Sequence, residues 1–264
     1  MKTAIIISGV MRNMVNASSS WLIDADYYLI TDNKIYNPQS TNIQPETAID
    51  TISNIIDKTS VTFSSINILL NDELKLSVEQ LRTKPEFAYH PIISMAFKWK
   101  YAFHMLESVQ YFKQYKKIVL WRPDIYIRYR TPIKNFNKQL PTPCHIHGIG
   151  GIGTEINTGY NVADDNCLMF DYDVFRILAG FFDYFIQFHD ETVLNGHDVH
   201  SLLARYFIER GVTIDNLLSN YFDYVILRDN TTHMFHNGIL MPNYSDDDLR
   251  RKQYDWWKEN INND

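Results

Sequence analysis

Cysteine is scarce: Cys144 and Cys167 are the only two in 264 residues. That excludes a disulfide scaffold and a cysteine zinc cluster, and it fits two ordinary thiols in a reducing compartment. Long apolar runs are missing as well, and no stretch can span a bilayer. Lys2 followed by Ala4 to Ile7 resembles a short signal peptide only superficially, because Ser8, Gly9 and Arg12 interrupt the run. A cytoplasmic protein without an integral membrane segment is the expectation. Positive charge is in deficit, with 25 Lys and Arg against 31 Asp and Glu and a formal charge of -6. Generic binding to nucleic acid or to anionic membranes needs a basic field and is not expected. A local positive pocket for a nucleotide phosphate is still compatible with this balance.

Glycine is sparse outside one passage, His145-Ile-His-Gly-Ile-Gly-Gly-Ile-Gly153. It lacks the spacing of a dinucleotide fingerprint, does not follow the first strand, and has no lysine after it as a phosphate loop requires. A flexible turn or an acceptor-side loop is expected there. No serine elbow and no cysteine–histidine signature supports acyl transfer. No internal repeat or linker divides the chain, so residues 1–264 read as a single domain with a polar tail from about residue 245. In that tail Leu249 and Trp256 lie seven apart and would share a helical face.

Aromatics, by contrast, are abundant: 17 Tyr, 15 Phe and 5 Trp. Most of them are expected to fill a core, although the same side chains can line a saccharide or base site. Ala4 to Ile7 and Asp26 to Asp32 read as buried strands, with a short helix between Met11 and Ile23. Asn33 to Thr47 reads as a loop, and Val61 to Ser65 reads as a third strand followed by a polar, mobile segment up to Tyr89. From Pro91, the residues Ile92, Ala96, Trp99, Phe103, Leu106 and Val109 recur at helical spacing and form one apolar stripe. Ile118 to Trp121 is a strand that stops at Pro123, which cannot donate to a sheet ladder. Tyr126 to Pro143 is expected to be irregular because of Pro132, Pro141 and Pro143. Asn166 to Phe170 reads as a strand, and Asp171 to Phe188 as a helix weakened at Gly180. A helix over Asp198 to Arg210, ended by Gly211, precedes a strand over Tyr224 to Arg228. Helix alternating with buried strand implies an α/β fold: a mainly parallel or mixed central sheet flanked by helices.

Ligands of open α/β sheets sit at the carboxyl ends of strands, which draws attention to two places. One is Ser8, Gly9 and Arg12 after the first strand, where Gly9 permits a tight turn and Arg12 can pair with a phosphate. A surface arginine near a helix start is the competing reading for Arg12. The other is Arg122, Pro123 and Asp124. Asp124 can hold a divalent cation, hydrogen-bond a sugar hydroxyl, or simply pair with Arg122. Asp164 and Asp165 are a third acidic place, open to metal binding, to general-base work on an acceptor, or to solvation. His197, Asp198 and His200 stand at a helix start. They suit substrate binding or capping, and with His145 and His147 or His233 and His236 a zinc site can be drawn.

The stretches Ile5-Ile-Ile-Ser-Gly-Val-Met-Arg12, Asp26 to Asp32, Leu120-Trp-Arg-Pro-Asp124 and Ala163-Asp-Asp-Asn-Cys-Leu-Met-Phe170 come in an order that resembles small nucleotide-sugar-dependent glycosyltransferases of the GT-A fold type. Uncharacterised bacterial and viral members are among them. The resemblance implies a GT-A-like domain that moves a sugar from a nucleoside diphosphate donor to a glycan or other hydroxyl acceptor. It implies Ser8, Gly9, Arg12, Arg122 and Asp124 on the donor, and Mg2+ or Mn2+ on Asp124. It further implies Asp164 or Asp165 on the sugar or acceptor, with Glu191, Asp198 or His197 in the acceptor-side base role. In this family the metal-holding motif is usually Asp-x-Asp, and here Arg122 stands in place of the first aspartate. Arg122 can then supply positive charge to a leaving diphosphate itself. The alternative is a non-catalytic carbohydrate- or nucleotide-binding protein on the same fold.

Overall fold

The computed structural model describes residues 2–9, 11, 14–33, 49–69, 91–108, 112–149, 153–154, 161–162, 166–192, 199–228, 231–236 and 239–240. The backbone alone is described for 91–93, 112, 153–154, 161–162, 188–192, 199–201, 225–228, 231–236 and 239–240. The expected loop at 34–47 and the expected terminal helix after residue 245 lie outside these residues.

The chain runs β1 (Thr3–Ser8), α1 (Met14–Ser18), β2 (Asp26–Asp32), α2 (Ile49–Ile56), β3 (Phe63–Leu69), α3 (Pro91–Ser108) and a 3-10 turn (Phe112–Gln114). It continues through β4 (Lys117–Trp121), β5 (Ile125–Tyr129), α4 (Ile133–Lys138), β6 (His145–Gly148), β7 (Gly153–Thr154), β8 (Asn161–Val162) and β9 (Cys167–Phe170). It then forms α5 (Tyr172–Ala179), α6 (Phe181–Thr192), α7 (Val199–Ile208), β10 (Thr213–Asp215), a second 3-10 turn (Leu217–Asn220), β11 (Phe222–Arg228), β12 (Thr231–His236) and β13 (Ile239–Leu240). This is a mixed α/β fold with a central sheet and flanking helices.

The central sheet has seven strands in the order β10-β6-β9-β4-β1-β2-β3. β1 lies parallel to β2 and to β4, and β2 parallel to β3, while β9 is antiparallel to both β4 and β6. From β1 the chain winds outward to β2 and β3, then crosses back to place β4 on the other side of β1. The strand order therefore reverses between β1 and β4, the position where open α/β sheets take ligands at their carboxyl edge.

Both faces of the central strands β1, β2 and β4 are covered, which is why these strands read as nearly unbroken apolar runs rather than alternating ones, whereas the edge strand β3 alternates. Ala4, Ile6, Ile30, Ile118 and Leu120 pack with Trp99 and Phe103 of α3 and with α5, α6 and α7. Ile5, Ile7, Leu29, Val119 and Trp121 pack on the opposite side with α1, α2, Phe136 of α4 and the strands β5 and β11. The apolar stripe of α3 holds through Ala96, Trp99, Phe103 and Leu106, all buried. Gly180 separates α5 from α6, and Gly211 follows α7 at φ +70°, a conformation that glycine adopts without strain.

Several expectations are corrected. Residues 126–143 are not irregular: they contain most of β5 and all of α4, and Pro132 caps α4 instead of breaking it. β5 was hidden because it pairs antiparallel with β11, a partner almost a hundred residues away, in a second sheet of order β13-β12-β11-β5. His145 to Gly148 is a strand of the central sheet, with Ile146 and His147 buried, and not a flexible turn. The third strand begins at Phe63 and extends to Leu69. Cys144 is exposed, Cys167 is buried, and both are free thiols. Among the described residues no helix is long and apolar enough to cross a membrane.

The edge of the sheet opposite the carboxyl ends carries a buried cation. Lys117 is fully buried at the start of β4, and its ammonium donates to the Phe136 carbonyl at 2.6 Å and stands 4.1 Å above the Phe136 ring. Burial pushes its pKa down from 10.5 to about 8. The unfolded chain thus holds more protons than the folded one between about pH 8 and 10.5, so stability rises with pH across that window. Tyr27, Tyr115 and Tyr129 act in the opposite sense, because burial raises each phenol well above its ordinary value of 10.0. The unfolded phenols ionise first, and stability falls once the pH passes that value. Denaturant midpoints between neutral pH and pH 11 are expected to climb and then drop, with the climb flattened in K117M. A K117M protein that climbs as steeply as the wild type would refute this assignment.

Candidate functional site

Three neighbouring strands of the central sheet, β2, β1 and β4, end at one edge in Asp32–Asn33, Ser8–Gly9 and Trp121–Arg122. The closeness of the β1 and β4 ends is measured by Gly9. It adopts φ +147°, its amide donates to the Ile30 carbonyl at 3.2 Å, and a Cβ built on it would lie 2.9 Å from Cδ of Pro123. Only a residue without a side chain lets the two loops meet in this way.

After β4 the chain turns sharply. The Ile125 amide donates to the Arg122 carbonyl at 3.3 Å, closing a four-residue turn with Pro123 at its second position. The turn passes the chain from the central sheet into the second one, where the Trp21 indole donates to the Ile125 carbonyl at 2.8 Å and Ser20 accepts from the Ile127 amide at 2.8 Å. Asp124 is thereby buried, with its side chain 2% exposed. Burial at that level requires a partner, and Arg122 provides it. Arg122 Nε donates to one carboxylate oxygen at 2.9 Å and Nη2 to the other at 2.7 Å. Arg122 Nη1 donates at 3.2 Å to Oδ1 of Asn166, whose Nδ2 donates at 3.0 Å to the hydroxyl of the buried Tyr224. The guanidinium is fixed on two sides while its side chain stays 21% exposed.

A second ion pair stands at the end of β2. Lys98 of α3, nearly fully buried, donates to Asp32 Oδ2 at 2.8 Å and to Ser94 Oγ at 2.6 Å. Beside these pairs are buried polar atoms with no hydrogen-bond partner among the described residues: Ser8 Oγ, Asn33 Oδ1 and Trp121 Nε1. Buried polar groups in folded proteins are nearly always paired; of these three, Ser8 Oγ lies on the sheet face covered by α3 and Trp121 Nε1 on the opposite face.

The fit of a divalent cation can be tested on Asp124. Each of its oxygens accepts from Arg122, so a cation ligated there would stand beside the guanidinium. Two unit charges about 4 Å apart repel by on the order of 4 kcal/mol near a protein surface, and a divalent ion doubles that. Asp124 is arranged as the anchor of Arg122 and does not fit a metal ligand in this arrangement. Among the described residues no cluster of three or more His, Cys, Asp or Glu is placed to hold a metal ion.

Ser8, Gly9, Arg122 and Asp124 are therefore brought to one edge. Arg12, Asp164, Asp165 and His197 lie outside the described residues, as does the side chain of Glu191 in α6. His147 is not open to zinc. Its Nε2 accepts from the Thr142 amide at 3.0 Å, which puts the proton on Nδ1, and Nδ1 donates to Asp215 at 2.7 Å. The Lys98–Asp32 pair, Asn33, Asn166 and Tyr224 had no role in the sequence reading. The acidic end of the second strand was visible, but no spacing rule connects it to a lysine 66 residues later. No protein-family model matches the chain, nor does any curated protein match it significantly, so the chemistry of this edge is read from its own geometry.

Proposed function

We propose that the protein is a glycosyltransferase with a GT-A-like fold, moving a sugar from a nucleoside diphosphate donor to a hydroxyl acceptor in glycan or polysaccharide synthesis. The observation that carries this reading is the convergence of Ser8–Gly9, Asp32–Asn33 and Arg122 at the carboxyl edge, where the strand order reverses and buried polar atoms lack partners. The close approach of Gly9 to Pro123 suits backbone contact with a ligand phosphate, and Arg122 offers directional charge-assisted bonds to it. Ser8 Oγ and Asn33 Oδ1 supply a hydroxyl and an acceptor for the sugar–base part of a nucleotide. Asp164 and Asp165 precede Asn166 in the sequence and take the sugar or acceptor hydroxyl in this scheme. Arg12 adds charge on the donor side, and Glu191 or His197 serves the acceptor.

A thermal-shift screen tests the donor. Uridine or guanosine diphosphate, or a sugar conjugate of one of them, is expected to raise the melting temperature. A ligand at a hundredfold excess over Kd stabilises by about 2.7 kcal/mol, on the order of 5–10 °C for a chain of this size. Silence from every nucleoside diphosphate, nucleotide sugar and cytidine monophosphate sugar at millimolar concentration would remove the basis of the proposal. Binding without donor consumption across a panel of hydroxyl acceptors would instead favour a non-catalytic nucleotide- or carbohydrate-binding protein.

A further inference from the structure

We infer that Ser8 receives an uncharged hydroxyl of the ligand, from a ribose or a hexose, and that its side chain is kept at a cost to the stability of the free protein. Placing that hydroxyl on a nucleotide or nucleotide sugar rests on the proposed function, whereas the stability cost stands on the surroundings of Ser8 alone.

Ser8 closes β1, pairs with Ile30 of β2 and is 2% exposed. Alternation along the strand puts it with Ala4 and Ile6 on the face covered by α3. Its hydroxyl has no hydrogen-bond partner among the described residues. A hydroxyl withdrawn from water and left unpaired destabilises a fold, and alanine in the same place carries no such penalty. The charges beside the strand end decide which ligand group suits this position. Asp32, two residues beyond Ile30, holds Lys98 of α3 at 2.8 Å. Ile7 pairs with Trp121, so Arg122 stands level with Ser8, and Asp124 holds it at 2.9 and 2.7 Å. Each cation is matched by a carboxylate, and the buried place around Ser8 offers an anion no net positive charge in return for its lost solvation. A neutral hydroxyl loses far less, and it can both donate to a serine and accept from it. Because no partner holds the Ser8 hydroxyl, turning it about the Cα–Cβ bond toward the half-buried Gly9 breaks no hydrogen bond.

Melting temperatures and isothermal titration on wild type and S8A test the inference. S8A is expected to raise the melting temperature of the free protein by on the order of 2–6 °C. It is expected to weaken uridine or guanosine diphosphate, or a sugar conjugate of one of them, by about three- to tenfold. Inorganic pyrophosphate has no sugar hydroxyl and is expected to show no difference between the two proteins. The 2′- and 3′-deoxy forms of the diphosphate identify the source of the hydroxyl. A ribose contact makes one of them indifferent to S8A, and a hexose contact confines the S8A loss to the sugar conjugate. S8C keeps a side chain in place but donates weakly, and it is expected to follow S8A; if S8A does not fold, S8C decides.

A melting temperature that stays or falls in S8A would overturn the inference, since the hydroxyl would then be satisfied within the fold. So would equal affinity of both proteins for every hydroxyl-bearing ligand that binds, or a loss as large for pyrophosphate as for the nucleotides. If no nucleoside diphosphate or nucleotide sugar binds the wild type, the glycosyltransferase reading falls, and free ribose, glucose, galactose and mannose at high millimolar concentration become the probes. A thermal shift from one of them that S8A abolishes would sustain the hydroxyl site, and silence from all four would overturn it.

Discussion

Replacing Lys98 with methionine (K98M) is expected to lower the melting temperature by on the order of 10 °C, the largest stability loss among single changes at the carboxyl edge. Lys98 is 2% exposed and donates to Asp32 at 2.8 Å, and the Asp32 side chain is only 14% exposed. Methionine keeps the length of the stem and removes the cation, so the loss of apolar packing is small. What remains is a mostly buried carboxylate that has lost its ammonium, and breaking a buried pair from one side costs about 3–5 kcal/mol. The pair also ties α3 to the end of β2, so the change loosens the edge that carries Asn33. Neutralising the aspartate as well (K98M with D32N) is expected to recover part of the loss, because the mostly buried negative charge is then gone. A double-mutant cycle by denaturant unfolding measures the coupling. A loss below about 1 kcal/mol in K98M would place this ion pair among weak, solvent-screened ones.

Gly9→Ala is the second change with a large expected effect, and it acts on the site more than on the core. At φ +147° a side chain is strained wherever it points, and here its Cβ would meet the Pro123 ring at 2.9 Å. That ring is rigid and belongs to the turn that presents Arg122 and Asp124. The β1 loop and the β4 turn must therefore separate. Local strain of this kind costs about 1–3 kcal/mol, and overpacking adds a comparable amount. Diphosphate binding is expected to fall in parallel, since a displacement of even a few tenths of an ångström misaligns the backbone of one loop with the guanidinium of the other. The double change G9A with P123A separates the two causes. Removing the proline ring relieves the steric contact and leaves the dihedral strain, so partial recovery of stability is expected. Full stability and unaltered binding in G9A alone would show that the two loops are not held together as described.

The strands nearest this edge were legible because burial on both faces writes itself locally. Ala4 to Ile7, Tyr27 to Ile30 and Ile118 to Trp121 are continuous apolar runs, and such runs are what a strand covered on both sides requires. The same holds for α3, whose stripe is a local period. Pro123 marked the end of β4, and Arg122 and Asp124 were conspicuous because they follow an apolar run. β5 was not legible, since its stability comes from β11 and its flanking prolines suggested the opposite. His145 to Gly148 was misread for a related reason: glycine and histidine have weak local preferences, and the strand forms because β9 and β10 flank it.

The sequence by itself determined which segments are buried, where the strands stop, and that an arginine and an aspartate stand two residues apart at one of those stops. Tertiary structure alone decided what those two residues do. Asp124 is an anchor because the turn into the second sheet buries it against Arg122, and Arg122 is oriented in part by Asn166, 44 residues away, which is itself hydrogen-bonded to Tyr224, a further 58 residues on. Lys98 and Asp32 meet across 66 residues in the same manner. Periodicity and composition report how strongly a position is withdrawn from water, a property of one segment and its solvent. The partner that compensates a withdrawn charge is set by the packing of distant segments, and no local pattern of residues encodes it.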